Sequence, residues 1–291
     1  MGATSRTALL FTFMFVLFIV IGWAVGTLFV GDWVLGTLFF LIIAAAMNLI
    51  AYFFSSKIVL MSYRAKIVDE RAAPRLYRLV KQVAFKADMP MPKVAIVPTQ
   101  TPNAFATGRN PKNAVVAATE GILKLLNDDE LEGVLAHEMA HVKDRDIMVM
   151  TIATTLAGAI SFAARSLWFG SMVGGGRRDS GGMAIVALVV AITAPIAALL
   201  IQLAISRGRE YLADEQGAMI ISRPLSLANA LEKLESANKK KPIEYGNPAS
   251  ASLWIVNPFS ASGLVRIFST HPPMAERVRR LRQMAGKMGY A

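Results

Sequence analysis

No cysteine occurs anywhere in the 291 residues, and histidine occurs only three times, at His137, His141 and His271. The first absence excludes disulfides and thiolate ligands together, so any metal held by this chain must be held by histidine and carboxylates. It is also compatible with a reducing compartment. Charge is scarce as well. Charged residues make up 18% of the chain against 54% hydrophobic, and the mean hydropathy of +0.46 is more apolar than that of an ordinary soluble domain of this size.

Four apolar runs account for that excess: Ala8 to Val30, Val34 to Phe54, Ile147 to Ala164 and Met183 to Ile205. Each is near the roughly 20 residues that a membrane-spanning helix needs. The first two contain no Lys, Arg or Glu and meet at Gly31, Asp32 and Trp33, which predicts a helical hairpin with an aromatic anchor at the interface. The third is short and carries Thr151, Thr154, Thr155 and Ser161; its length favours a span, its hydroxyls a buried or interfacial helix. The fourth carries Pro195 and Gln202, both tolerable in a packed bundle. A cleaved signal peptide does not fit a long apolar run followed at once by another.

The net charge of +11 leans basic, but the basic residues stand mainly beside the apolar runs and in the tail ERVRRLRQMAGKMGY. That pattern fits positive-inside residues and attraction to anionic lipid, so the expected partner is the bilayer and not nucleic acid. Arg6 before the first run, Lys57, Arg64 and Lys66 after the second, Lys143 and Arg145 before the third, and Arg207 and Arg209 after the fourth all assign those flanks to the cytoplasm. Arg177 and Arg178, in the glycine-rich connector 170–182, run against that rule for the second hairpin.

Between the hairpins, residues 57–146 read as globular. PRLYRLVKQVAFKA, from Pro74, sets Leu76, Leu79, Val80, Val83 and Ala87 on one helical stripe. KVAIVPT at 93–99 reads as a strand, and NAFATG and NAVVAAT around the turn RNPKN read as a hairpin. Asn127 and Asp128 then offer caps for a helix through DDELEGVLAHEMAHVKDRD. The segment 238–263 holds several turn signals and is expected to be mobile.

HEMAH, residues 137–141, therefore falls on a helix. His137 and His141 lie one above the other on one face, with Glu138 to the side, so two imidazoles can converge on one ion while a carboxylate serves as a base beside it. The flanking charges place the motif in water or at the interface, just outside the membrane. A zinc site needs a third protein ligand, and SRGREYLADE, directly after the fourth run, supplies Glu210 and, four residues on, Asp214. Glu210 would complete a His2Glu set. Asp214 would accept the free ring N–H of a liganding histidine from outside it. Two acids at helical spacing are ordinarily a solvated face; here, the two segments enter and leave the membrane at one surface.

HEMAHVKDRD, SRGREYLADE, PNAFATG and STHPPMAERVRRL, taken with the amino-terminal hairpin, resemble the HtpX-type heat-shock membrane zinc metalloproteases, relatives of the type 1 CAAX prenyl protease. The resemblance covers nearly the whole chain. It implies zinc on His137, His141 and Glu210, with Glu138 as general base. It implies that Asn103, Ala104, Phe105 and Ala106 form an active-site edge strand that pairs with an extended substrate. It also implies that His271 and Arg277 face the site and stabilise the oxyanion; by residue type alone, Thr270 caps a helix and Arg277 sits in solvent.

The expected fold is mainly helical with a small β element: membrane helices carrying a zincin-like metalloprotease domain. The expected division is an amino-terminal hairpin (1–56), a first protease part with the HEMAH helix (57–146), a second hydrophobic hairpin (147–205) and a second protease part with the third ligand (206–291). The expected activity is zinc-dependent endoproteolysis of membrane or misfolded proteins at the cytoplasmic face of a bacterial-type inner membrane, in quality control and stress response, alongside membrane protease or chaperone partners. The rivals are a zinc-binding membrane scaffold without hydrolysis, a prenyl-peptide protease, and a small channel or transporter. The channel is disfavoured because the runs hold no ionisable side chain of the kind that lines an ion path, Asp32 lying in the turn.

Overall fold

Asp32 sets the start of a long helix by accepting hydrogen bonds from the backbone N–H groups of Val34 and Leu35, which have no partner inside the helix. This is α2 (Trp33–Ser62), and it packs against α1 (Ala3–Val25). The computed structural model describes residues 3–25, 27, 31–173, 196, 207–240, 253–256 and 272–289. Among them, α2 is the one helix long and apolar enough to cross a membrane, with a mean hydropathy of 2.4 in its most apolar window; Ser5–Val20 and Asp146–Gly158 are shorter apolar stretches. The expected run from Met183 to Ile205 lies outside the described residues apart from position 196.

The outward faces of these helices are apolar, with Val20, Leu35, Phe39, Ile42, Leu49 and Phe53 all exposed. Inward, α2 presents Ala44, Asn48, Ala51 and Ser55. Leu10 and Met14 of α1 and Ala51 of α2 meet Val149, Ile152, Ala153 and Leu156 of a third apolar helix, α6 (Asp146–Val173).

The sheet has four strands in the order β1-β2-β4-β3: β1 (Lys66–Val68), β2 (Lys93–Val97), β3 (Ala104–Thr107) and β4 (Val115–Thr119). β2 and β4 run parallel, while β1 and β3 close the two edges antiparallel. The β3–β4 hairpin turns through a 3-10 turn at Pro111–Asn113 capped by Asn110, as the NPKN sequence suggests. β1 had no sequence signal, because it is three residues long and largely exposed.

Helix α3 (Pro74–Lys86) buries Leu76, Leu79, Val80 and Val83 on its predicted stripe. The short α4 (Glu120–Leu125) follows β4, and α5 (Asp128–Lys143) begins with a reciprocal cap: Asn127 accepts from the Glu130 N–H and Glu130 accepts from the Asn127 N–H. A cap of this kind stabilises a helix by about 1 kcal/mol. α5 is buried continuously from Glu130 to Val142, so HEMAH lies inside the protein and not in water. Its flanking charges reach solvent only at the two ends. The helix is enclosed by α3, by β3, and by α7 (Arg207–Ile221) and α8 (Pro224–Lys240); α9 (Met274–Lys287) covers α7 and α8.

Candidate metal centre

Two close helix crossings aim the site residues. A Cβ built on Gly217 of α7 would stand 2.8 Å from the His137 backbone nitrogen, and one on Gly133 of α5 would stand 2.9 Å from the Leu227 nitrogen. Only glycine lets α7 and α8 lie this near α5. From that crossing, α7 runs back two turns to Glu210, which places its carboxylate over the HEMAH face.

His137, His141 and Glu210 meet there. Their ligand atoms all lie within 4.8 Å of one another, and all three residues are buried. His141 Nε2 is 3.4 Å from Glu210 Oε1, and His137 Nε2 is 3.9 Å from Glu210 Oε2. A four-coordinate ion with ligands about 2 Å away keeps its donors roughly 3.3 Å apart, so this set has the chemistry and nearly the spacing of a three-ligand metal site. The imidazoles stand edge-to-face, with centroids 4.8 Å apart.

Each ring has a carboxylate behind it. Asp214 Oδ1 lies 3.0 Å from His137 Nδ1, and Arg277 grips Asp214 with two bonds of 2.8 and 2.7 Å. Asp146 Oδ2 lies 3.6 Å from His141 Nδ1, an ion-pair separation too long for a hydrogen bond, and Arg209 Nη1 lies 2.6 Å from Asp146 Oδ1. Burial pushes His137 down to about 4. It acts the same way on His141, but the Asp146, Glu210 and Glu138 carboxylates outweigh it and lift that ring to about 10. Arg277 overcomes the effect of burial on Asp214 and holds it below its ordinary value.

Glu138 is buried beside the two histidines. Burial, with Glu210 adding to it, pushes its carboxyl up to about 8, while the Ala106 N–H donates to it and acts the other way. That contact links α5 to β3. Thr119 N–H bonds to Asn103 O, and the alternation of an antiparallel pair then turns the N–H and C=O of Ala104 and Ala106 away from β4. β3 is therefore the sheet edge beside Glu138.

That edge is covered. Asn103, Ala104, Phe105 and Ala106 are all buried, and the Ile255 N–H donates to Ala104 O at 3.2 Å. The Asn103 side chain donates to Val256 O and accepts from Val256 N–H, and Trp254 packs edge-on against both Tyr63 and Phe105 with centroids 4.7 Å away. The segment 238–263 was expected to be mobile; of its described parts, 238–240 ends helix α8, and Leu253–Val256 is buried, Leu253 and Trp254 beside Tyr63 and Phe105 and Ile255 and Val256 in the main core.

Arg277 also departs from its residue-type reading. It is fully buried, not solvated, because Asp214 neutralises it and Ile255 O accepts from it at 3.1 Å; its Nη2 lies 3.4 Å from the His137 ring. The helix that carries it is capped at Pro273. Thr270 and His271 lie outside the described residues. Asp146, Arg209 and Gly217 carried no site signal in the sequence: the first two read as membrane-flanking charges, and a glycine at a crossing is visible only once both helices are placed.

The model of peptidase family M48 matches residues 70–285. A protease HtpX homolog of Thermococcus sibiricus is 50% identical over 296 residues, covering 100% of this chain and 99% of its own length. The homologs of Syntrophobacter fumaroxidans and Pyrococcus furiosus are each 52% identical, covering 98% and 99% of this chain. Among solved structures, Ste24p of S. mikatae is similar with a TM-score of 0.49 at 17% identity, covering 91% of this chain and 62% of that one. The chain belongs to peptidase family M48 and is a metalloprotease of that family.

Proposed function

We propose that this protein is a zinc-dependent endopeptidase tethered at the cytoplasmic face of a bacterial-type inner membrane, where it cleaves membrane or misfolded proteins in quality control and stress response. The observation that carries this reading is the convergence of His137, His141 and Glu210 with Glu138 buried beside them. Zinc suits a cysteine-free His2Glu set and, when bound, supplies a Lewis acid that polarises a scissile carbonyl and acidifies water.

The chain's own residues do the rest. Glu138, whose carboxyl a cation held by the three neighbouring ligands would return to its ionised form, would take a proton from the attacking water and return it to the leaving amine. Asp214, held by Arg277, fixes the ring of His137. Arg277 donates to Asp214 and Ile255 and stands 3.8 Å from Glu210 Oε2 and 3.4 Å from the His137 ring, so its charge acts on the site directly as well as through Asp214; further side-chain support of the oxyanion falls to His271, on its sequence motif. An extended substrate pairs with Ala104 and Ala106 at the edge of β3, reading backbone more than side chain, which suits unfolded chains. Residues 57–146 and 206–291 form the two parts of the protease, and the hydrophobic segments 1–56 and 147–205 anchor it in the bilayer.

The reading is tested by zinc content. His137→Ala and Glu210→Ala are expected to lose stoichiometric zinc in the detergent-purified protein; a full equivalent retained by Glu210→Ala would place the third ligand elsewhere. Assaying a CAAX peptide beside an unfolded polypeptide separates this activity from a prenyl-peptide protease, which would take only the former.

A further inference from the structure

We propose that Asp146, braced by Arg209, is the positioning residue for His141, so that the first residue of the membrane helix α6 takes part in building the metal site. The inference rests on the zinc reading above and extends it to a pair of residues outside the ligand set.

The site holds two His–Asp–Arg chains. One runs from His137 Nδ1 to Asp214 at 3.0 Å and on to Arg277 at 2.7 Å. The other runs from His141 Nδ1 to Asp146 at 3.6 Å and on to Arg209 at 2.6 Å. Both carboxylates are buried, Asp146 at 4% and Asp214 at 3% exposure. Among the described residues His141 Nδ1 has no hydrogen-bond partner, and Asp146 is the acceptor that stands nearest to this buried ring nitrogen among the ion pairs there. A histidine that ligates through Nε2 keeps a proton on Nδ1, and a carboxylate behind that proton fixes the tautomer and ring orientation and makes the ligand more basic. A buried carboxylate with no basic neighbour is costly. Arg209 supplies the neighbour, one residue before Glu210.

The geometry also explains why these two residues sit where the chain enters and leaves its second hydrophobic segment. α5 ends at Lys143, Arg145 turns with a positive φ of 60°, and α6 begins at Asp146. The direction of α6 therefore decides where the Asp146 carboxylate points. Arg6 of α1 is close enough to both Asp146 and Arg209 to act on them electrostatically, which brings α1 to the same cluster. Four helices, α1, α5, α6 and α7, thus converge at His141, and the packing of the anchor and the geometry of the ligand are set by the same contacts.

The test uses full-length protein in detergent and zinc affinity measured by competition with a chromophoric chelator. Asp146→Asn keeps the shape and an acceptor oxygen but loses the charge; Asp146→Ala loses both. Affinity is expected to fall about 10- to 100-fold in Asp146→Ala and less in Asp146→Asn, as removal of a histidine's outer partner typically does. The visible spectrum of the cobalt-loaded Asp146→Ala protein should shift with the reoriented ring. Asp144→Asn removes a neighbouring acid 3.9 Å from Arg209 that is not paired with His141, and it should leave both readouts unchanged. Where Asp146→Ala does not fold, the isosteric Asn variant decides. Wild-type affinity and spectrum in a folded Asp146→Asn and Asp146→Ala, or an equal loss in Asp144→Asn, would overturn the positioning role while His137→Ala and Glu210→Ala still report on the zinc reading itself.

Discussion

Gly217 lies against the backbone of His137 so closely that a Cβ on it would stand 2.8 Å from the His137 nitrogen and 2.9 Å from its Cα. The zinc-ligand geometry proposed above therefore depends on a residue that carries no functional group. Gly217→Ala should push α7 away from α5, costing about 1–3 kcal/mol of stability as an overpacked core does, and pull Glu210 off its position. Thermal unfolding and zinc competition measure the two effects. Unchanged zinc affinity would show that Glu210 is placed by something other than this crossing.

Arg277 and Asp214 form a buried pair, and Arg277→Ala should cost about 3–5 kcal/mol by leaving the carboxylate alone. The pH dependence should also change sign. In the wild type, Asp214 sits below its ordinary value, so its contribution is present above the unfolded pKa near 3.9 and fades as pH falls through the folded value. Without Arg277, burial raises the folded pKa, and the contribution is greatest at low pH and lost as pH rises. Denaturant midpoints at pH 5 and 7 should then favour pH 5 in the variant, relative to wild type. An identical pH response in both proteins would contradict the pairing.

His141, lifted to about 10, is protonated at neutral pH in the metal-free protein, whereas His137, pushed down to about 4, is already neutral. Zinc must displace the His141 proton. Apparent affinity should therefore weaken about tenfold per unit as pH falls below neutrality, with proton release visible as a buffer-dependent heat of binding. Affinity that is flat between pH 6 and 8 would mean that His141 is neutral before the metal arrives.

Asn103 clamps the backbone of Val256 over β3 with both ends of its amide. Asn103→Ala should free the Leu253–Val256 segment, lower stability by about 1–3 kcal/mol through the unpaired buried groups, and speed cleavage of an unfolded polypeptide if β3 is the substrate strand. Limited proteolysis reports on the segment and a peptidase assay on the strand. Faster nicking at 253–256 with unchanged turnover would remove β3 from substrate binding.

Much of this architecture was legible in the sequence, for identifiable reasons. The stripe from Leu76 to Val83, the NPKN hairpin and the Asn127 cap are local signals, set by periodicity and turn chemistry within a few residues. HEMAH was legible because two histidines one helical turn apart in so histidine-poor a chain point to one ion. The burial of α5 was not, since its charged ends read as a solvated helix and only the enclosing helices show otherwise. By residue type alone Arg277 read as a surface residue, because its partner, Asp214, is distant in sequence; the resemblance was what turned it towards the site. The Asp146–Arg209 pair was hidden for the same reason: each stood next to an apolar run, where a charge already has an explanation.

The most direct measurement compares wild type with Glu138→Gln, purified in detergent with chelator and then given zinc and an unfolded polypeptide. Both proteins should bind one equivalent of zinc, because Glu138 is not among the three converging ligands. Only wild type should fragment the substrate. Equal cleavage by the two would deny Glu138 its role as the base, and intact substrate with both, zinc bound, would make the centre a metal site without hydrolysis.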